Sequence, residues 1–214
     1  MKNSIIIIDD ALDNTAQLDH IYKNIISDQS HVEEIIHKDD LENHKSLFEK
    51  CVKRIISQLW KDRAKSLYEE ACLNGFKFFE AWANSYTDPY NRNHVDRGGL
   101  PYHIDKDEKL YEYTGSIKTP TYASLIYLGP NSKINGGDLF INTEGLSHFT
   151  KFQENGTKEI DLTSSNWTKI KFKYNRFVIF DGSFPHLVSP VIAHPPNEPR
   201  AALAINLWNR ELSC

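Results

Sequence analysis

The sequence predicts an α+β domain built on an antiparallel β-sandwich or barrel. Helical periodicity dominates the chain as far as Gly75, and after it the apolar pattern switches to that of strands. Those strands are short, numerous and punctuated by glycine and proline turns, with no internal repeat and no dividing linker. At 214 residues the chain suits one domain, 1–214, long enough to bury a real core.

Bulk composition excludes several function classes. The chain is 40% hydrophobic and 25% charged, with a net charge of −4, which speaks against a nucleic-acid groove or a polybasic membrane patch. The run Ile5 to Ile8 is too short for a signal-peptide core or a membrane span. Cys51, Cys72 and Cys214 have unrelated spacings and make neither a disulfide framework nor a zinc knuckle. A reduced, cytoplasmic, enzyme-sized domain is the expectation.

Taken in order, Ser4 to Asp10 reads as a short buried strand, four isoleucines stopped by two aspartates. Asp13 or Asn14 can cap a helix with Leu18, Ile21, Tyr22, Ile25 and Ile26 on one face. His31 to Asp40 is polar and charge-rich with helix-like flanks, and reads as a solvated loop with some helix. From Asn43 to Asn74 the spacing of Leu47, Cys51, Val52, Ile55, Leu59 and Trp60 is helical, and Asn74-Gly75 is a helix stop. His20, His31, His37 and His44 fall in this packing region.

Phe76 to Tyr86 is aromatic-rich strand. A loop from Thr87 to Gly99 holds Arg92, His94, Asp96 and Arg97, followed by strand at Pro101 to Asp105 and a charged loop to Lys118. Thr121 to Leu128 is strand closed by Gly129-Pro130, and Gly136-Gly137 serves a turn into strand at Asp138 to Asn142. Ser147 to Ile170 is a polar excursion with weak strand signals. Strands follow at Arg176 to Phe180 and, after the Asp181-Gly182 turn, at His186 to Val191. A loop with Pro195, Pro196 and Pro199 delivers the last strand, Arg200 to Trp208.

The pattern that carries chemistry is His103-Ile104-Asp105. On a strand, residues two apart point to one face, so an imidazole nitrogen and a carboxylate oxygen reach the same point. A second His-x-Asp, His37 and Asp39, lies in the polar segment, where helical positions two apart diverge, and reads as solvated surface. His186, after a turn and at the head of an apolar strand, is the candidate third ligand at the sheet's rim. Two histidines and a carboxylate take one face of an octahedral ion and leave three positions open, which suits non-haem Fe(II).

Along the last strand, Arg200, Ala202, Ala204, Asn206 and Trp208 share one face, while Ala201, Leu203, Ile205 and Leu207 form a plain packing face. Small residues beside a guanidinium leave a lined space. A buried arginine needs an anion and fits a carboxylate in bidentate fashion, be it a ligand or a structural Asp or Glu. Tyr127 shares a face with Ala123 and Leu125, which also suits an ordinary aromatic core residue. His94, His148 and His194 read as solvated loop residues. Arg92, Arg97, Trp82, Tyr86 and Tyr102 are within reach of a substrate, with no spacing to choose among them.

From Phe76 to Trp208 the chain resembles the Fe(II)/2-oxoglutarate-dependent dioxygenase superfamily, in its prolyl 4-hydroxylase-like branch. The matching pieces, in order, are His103-Ile104-Asp105, Ala123 to Leu128, Gly136 to Phe140, Arg176 to Phe180, Pro185 to Val191, and Arg200 within Pro199 to Trp208. The resemblance implies a double-stranded β-helix (jelly roll, cupin-like) core at 76–210, with 1–75 as mainly helical support packed on one sheet. It implies Fe(II) on His103, Asp105 and His186, and 2-oxoglutarate held at its distal carboxylate by Arg200 and Tyr127. Leu139 would wall the cosubstrate pocket, and Asn206 would sit at its floor, a position often aromatic in relatives.

The implied reaction uses O2, with ascorbate as reductant, to hydroxylate an unactivated C–H of an amino-acid-like small molecule or a peptide side chain, releasing succinate and CO2. Desaturation or demethylation would use the same ligands. Asp105 argues against halogenation, since related halogenases carry a small residue there. The charge balance and the short apolar runs lead us to expect no nucleic-acid or membrane partner, and the oligomeric state stays open. Two rivals stay open: a cupin-like metal-binding module without turnover, and a zinc or manganese hydrolase or isomerase on the same ligands.

Overall fold

The computed structural model describes residues 5–28, 32–86, 99–155 and 160–213. The expected loop residues Arg92, His94, Asp96 and Arg97, as well as His31, Cys214 and the Tyr86 side chain, lie outside the described residues. Three layers follow from the apolar patterning: helices, a large sheet and a small sheet. The large sheet has the order β1 (Ile6–Ile8), β9 (Phe177–Asp181), β5 (Tyr122–Gly129), β12 (Arg200–Trp208), β3 (Phe78–Tyr86), β2 (Val32–His37). The small sheet has the order β4 (Leu100–His103), β10 (His186–Val188), β7 (Leu139–Asn142), β8 (Trp167–Ile170). A two-stranded ribbon pairs β6 (Asn135–Gly136) with β11 (Val191–Ala193), and neighbouring strands are antiparallel throughout.

The two faces of β12 divide as alternation requires. Ala201, Leu203, Ile205 and Leu207 join one core with Leu18, Ile21 and Ile25 of α1 (Ala16–Asp28) and Val52, Ile55 and Ile56 of α2 (Leu47–Ile56). Between the sheets a second core gathers Leu125 and Tyr127 of β5, Leu139 and Ile141 of β7, Val178 and Phe180 of β9, and Ala202 of β12. No helix among the described residues is long and apolar enough to cross a membrane.

Several elements depart from the sequence expectation. β1 is an edge strand, and Ile7 is 46% exposed where a buried strand was expected. The described part of the expected loop with helix, from residue 32, begins as strand: β2 pairs with β3 along its length, with Ile36 buried and Ile35 and His37 exposed. The helix expected from Asn43 to Asn74 is divided into α2, a π-helical stretch (Ser57–Arg63) and α3 (Lys65–Leu73). The charged loop before Lys118 contains α4 (Glu108–Thr114), started by Asp107, whose carboxylate accepts the Leu110 N–H at 3.0 Å, and stopped by Gly115 at φ 70°. The polar excursion contains α5 (Leu146–Asn155) before β8. The strand expected at Pro101 to Asp105 ends at His103, and that from His186 to Val191 breaks between β10 and β11.

Candidate active site

The small sheet brings the two distant histidines together. β4 and β10 run antiparallel with His103 directly opposite His186, and their ring centroids are 4.2 Å apart. Beyond the end of β4 the chain buries Ile104, which turns Asp105 back towards the same point. Oδ1 of Asp105 lies 3.6 Å from Nε2 of His103 and 3.9 Å from Nε2 of His186. One ligand atom from each of the three falls within 4.8 Å of the others.

The backbone sets which ring nitrogens face this point. Nδ1 of His103 lies 2.8 Å from the Pro101 carbonyl, and Nδ1 of His186 lies 3.2 Å from the Phe184 carbonyl. A carbonyl only accepts, so each Nδ1 carries the proton and donates, and each Nε2 presents a lone pair. Burial lowers the His186 pKa to about 4, reinforced by the neighbouring His103 and only partly offset by Asp105. Burial works to raise Asp105, but His186, His103 and the hydrogen bond from Asn206 outweigh it and hold that carboxyl at about 2. Burial works to lower His103, but the Asp105 carboxylate facing its Nε2 outweighs it and raises the pKa, so an ion binding here would displace a proton from that nitrogen. An ionised carboxylate between two Nε2 lone pairs is a donor set that fits a divalent transition-metal ion.

These three side chains line a cavity of about 200 Å³ together with Arg200, Leu139, Ala202 and Ala204. The small residues on the inner face of β12 leave this space, as their pattern suggested. Arg200 is 1% exposed. Its Nε donates to the Gly137 carbonyl at 2.9 Å, and its guanidinium lies 5.0 Å from the centre of the Tyr127 ring. Gly137 serves the expected turn at φ 70°, and it also clears Arg200: a Cβ there would stand 2.7 Å from the arginine Cδ. Tyr127 is fully buried and is not a wall of the cavity.

Asn206, expected at the floor of a cosubstrate pocket, is not among the residues that line the 200 Å³ cavity. It lines an adjoining cavity of about 280 Å³, and its Nδ2 donates to Asp105 Oδ2 at 3.1 Å. Trp82, His103 and Asp105 line both cavities, so of the two expected substrate-facing residues whose side chains are described, Trp82 and Tyr102, it is Trp82 that does so. Tyr102 points away, into a cluster with Phe152 and Trp167, where its hydroxyl meets Nδ1 of His148 at 2.6 Å. His148 is therefore a half-buried packing residue of α5 rather than a solvated loop histidine. His194 is also half-buried, with Nδ1 2.8 Å from the Pro195 carbonyl. His37 and Asp39 are exposed and lie outside the cluster. Sequence reasoning missed the contact from Asn206 to Asp105; the only signal was a polar residue on the inner face of β12.

No protein-family model matches the sequence, and no curated protein matches it. Solved structures match the fold over nearly the whole chain. A Pseudomonas putida prolyl-4-hydroxylase aligns with a TM-score of 0.57 at 11% identity, covering 98% of this chain and 94% of its own. A Trichoplax adhaerens prolyl hydroxylase, solved with a peptide fragment of the hypoxia inducible factor oxygen degradation domain, aligns at 0.54 and 14% identity, covering 97% and 84%. HygX from Streptomyces hygroscopicus, solved with nickel and 2-oxoglutarate bound, aligns at 0.57 and 10% identity, covering 96% and 82%. At these identities the likeness is one of fold: the chain has the architecture of the prolyl 4-hydroxylases and related 2-oxoglutarate oxygenases.

Proposed function

We propose that this protein is an Fe(II)- and 2-oxoglutarate-dependent oxygenase that hydroxylates an unactivated C–H of a peptide side chain or an amino-acid-like small molecule. The observation that carries this reading is a single cavity lined by both a His-Asp-His donor set and a buried arginine. A metal-binding module without turnover has no use for that arginine, whereas a dicarboxylate cosubstrate needs both features. The core at 76–210 is read as a jelly roll within a single domain, in keeping with the neighbours' fold.

His103, Asp105 and His186 would hold the iron, and Arg200 would take the distal carboxylate of 2-oxoglutarate as a planar bidentate donor. Tyr127 supports Arg200 from beneath, its ring under the guanidinium. Leu139 walls the cosubstrate space. The bound iron, with 2-oxoglutarate and O2, supplies the oxidising power, and succinate and CO2 are the coproducts. The adjoining cavity beside Trp82 offers the substrate a route to the same ligands. The peptide bound by the Trichoplax neighbour supports a peptide as one substrate class.

Succinate formation from 2-oxoglutarate under Fe(II), O2 and ascorbate tests the reading. His103→Ala is expected to abolish it, and His37→Ala, on the other His-x-Asp pair, to leave it at the wild-type rate. Equal turnover in both variants would remove the site.

A further inference from the structure

We propose that Asn206 is a positioning residue that keeps Asp105 a one-oxygen metal ligand. The inference rests on the metal-site reading above and adds to it. The two oxygens of Asp105 have different surroundings. Oδ1 faces both imidazole Nε2 atoms, at 3.6 and 3.9 Å, while Oδ2 accepts the Asn206 amide at 3.1 Å. Asn206 is 1% exposed and held in the middle of the large sheet by pairing of β12 with β3 and β5, so its amide is fixed with the sheet.

The arrangement matters because a carboxylate can bind a metal ion through one oxygen or through both. Two imidazoles and one oxygen leave three octahedral positions, enough for a chelating cosubstrate and one further ligand. Were Asp105 to rotate and bind through both oxygens, only two would remain. The amide donor engages Oδ2 and ties it to the large sheet, while the backbone turn after β4 aims Oδ1 at the histidines. An aromatic side chain without a donor at this position could not do this.

Cobalt(II) titration of the metal-free protein, followed by visible absorption, provides the test without requiring turnover. Wild type should bind one Co(II). Asn206→Ala should weaken binding about 10- to 100-fold, the usual range for losing a hydrogen bond to a metal ligand, and should change the ligand-field spectrum as the carboxylate turns. Asn206→Asp, which keeps the shape and replaces the donor with an acceptor, should weaken it as well and serves if the alanine variant does not fold. The control is Ser189→Ala, which removes the 3.0 Å hydrogen bond that its hydroxyl accepts from the Asp138 N–H, lies outside both cavities and should leave affinity and spectrum unchanged. Wild-type affinity and spectrum in the Asn206 variants, or an equal loss in Ser189→Ala, overturns the positioning role alone. Absence of Co(II) binding by wild type overturns the metal site itself.

Discussion

Arg200 and Gly137 are shaped by one another. The arginine reaches its place by running its methylenes past a residue with no side chain, and it anchors its Nε on that residue's carbonyl. Gly137→Ala therefore carries two costs: a left-handed backbone that an L side chain resists by about 1–2 kcal/mol, and a Cβ 2.7 Å from Arg200 Cδ. The variant is expected to lower the urea midpoint and to raise the KM for 2-oxoglutarate, because relief of the clash displaces the guanidinium. A midpoint that falls while that KM stays unchanged would separate Arg200 from the cosubstrate. The residues at this scale differed in how visible they were beforehand. His103 and Asp105 could be paired from alternation alone, and Arg200 stood out as a charge among alanines. The contact from Asn206 to Asp105 could not be read, because it depends on how far apart two sheets pack.

At the scale of elements, amphipathic helices and apolar strands were legible because burial wrote their period into the sequence. The misread ones carry a different signature. β2 has only one strongly buried position, Ile36, in its described part, so glutamates and a histidine at a sheet edge resemble a polar loop. α4 buries no residue at all, and its caps, Asp107 and Gly115, were the only available signal. β1, the other edge, is fastened by charge. Asp9, just past its end, receives Nε and Nη2 of Arg176 at 2.6 and 3.0 Å and Lys173 at 3.2 Å. The Arg176 hydrogen bond, chiefly, holds the Asp9 carboxyl at about 2. A folded-state value below the unfolded one of about 3.9 gives stability that is present above that unfolded value and lost as the pH falls towards 2. Because the Asp9 side chain is 41% exposed, solvent screens the pair, and Asp9→Asn should cost only about 0.5–1 kcal/mol at pH 7. Urea midpoints of variant and wild type should converge near pH 2; a gap that persists there would mean the loss is not electrostatic.

Across the whole molecule, the helical layer and the candidate site lie on opposite faces of the large sheet. Trp60, fully buried, sits edge-on to Phe177 at 5.9 Å and fixes the helices to the far face. The near face is joined to the small sheet through the site: His103 and His186 belong to the small sheet, Arg200 and Asn206 to the large one, and Asp105 lies between them, bonded to Asn206. An ion bound there would fasten the layers together, and since the unfolded chain cannot assemble the same donor set, its binding must add to the stability of the folded state. Co(II) at one hundred times its dissociation constant contributes about 2.7 kcal/mol, which for a chain of this size corresponds to a rise in Tm of roughly 5–10 °C. The rise should be reversed by a chelator and be absent in His186→Ala, where the buried donor from β10 is lost. A wild-type Tm indifferent to saturating Co(II) would mean that the three donors do not close on an ion, and that the proximity of His103, Asp105 and His186 is only packing.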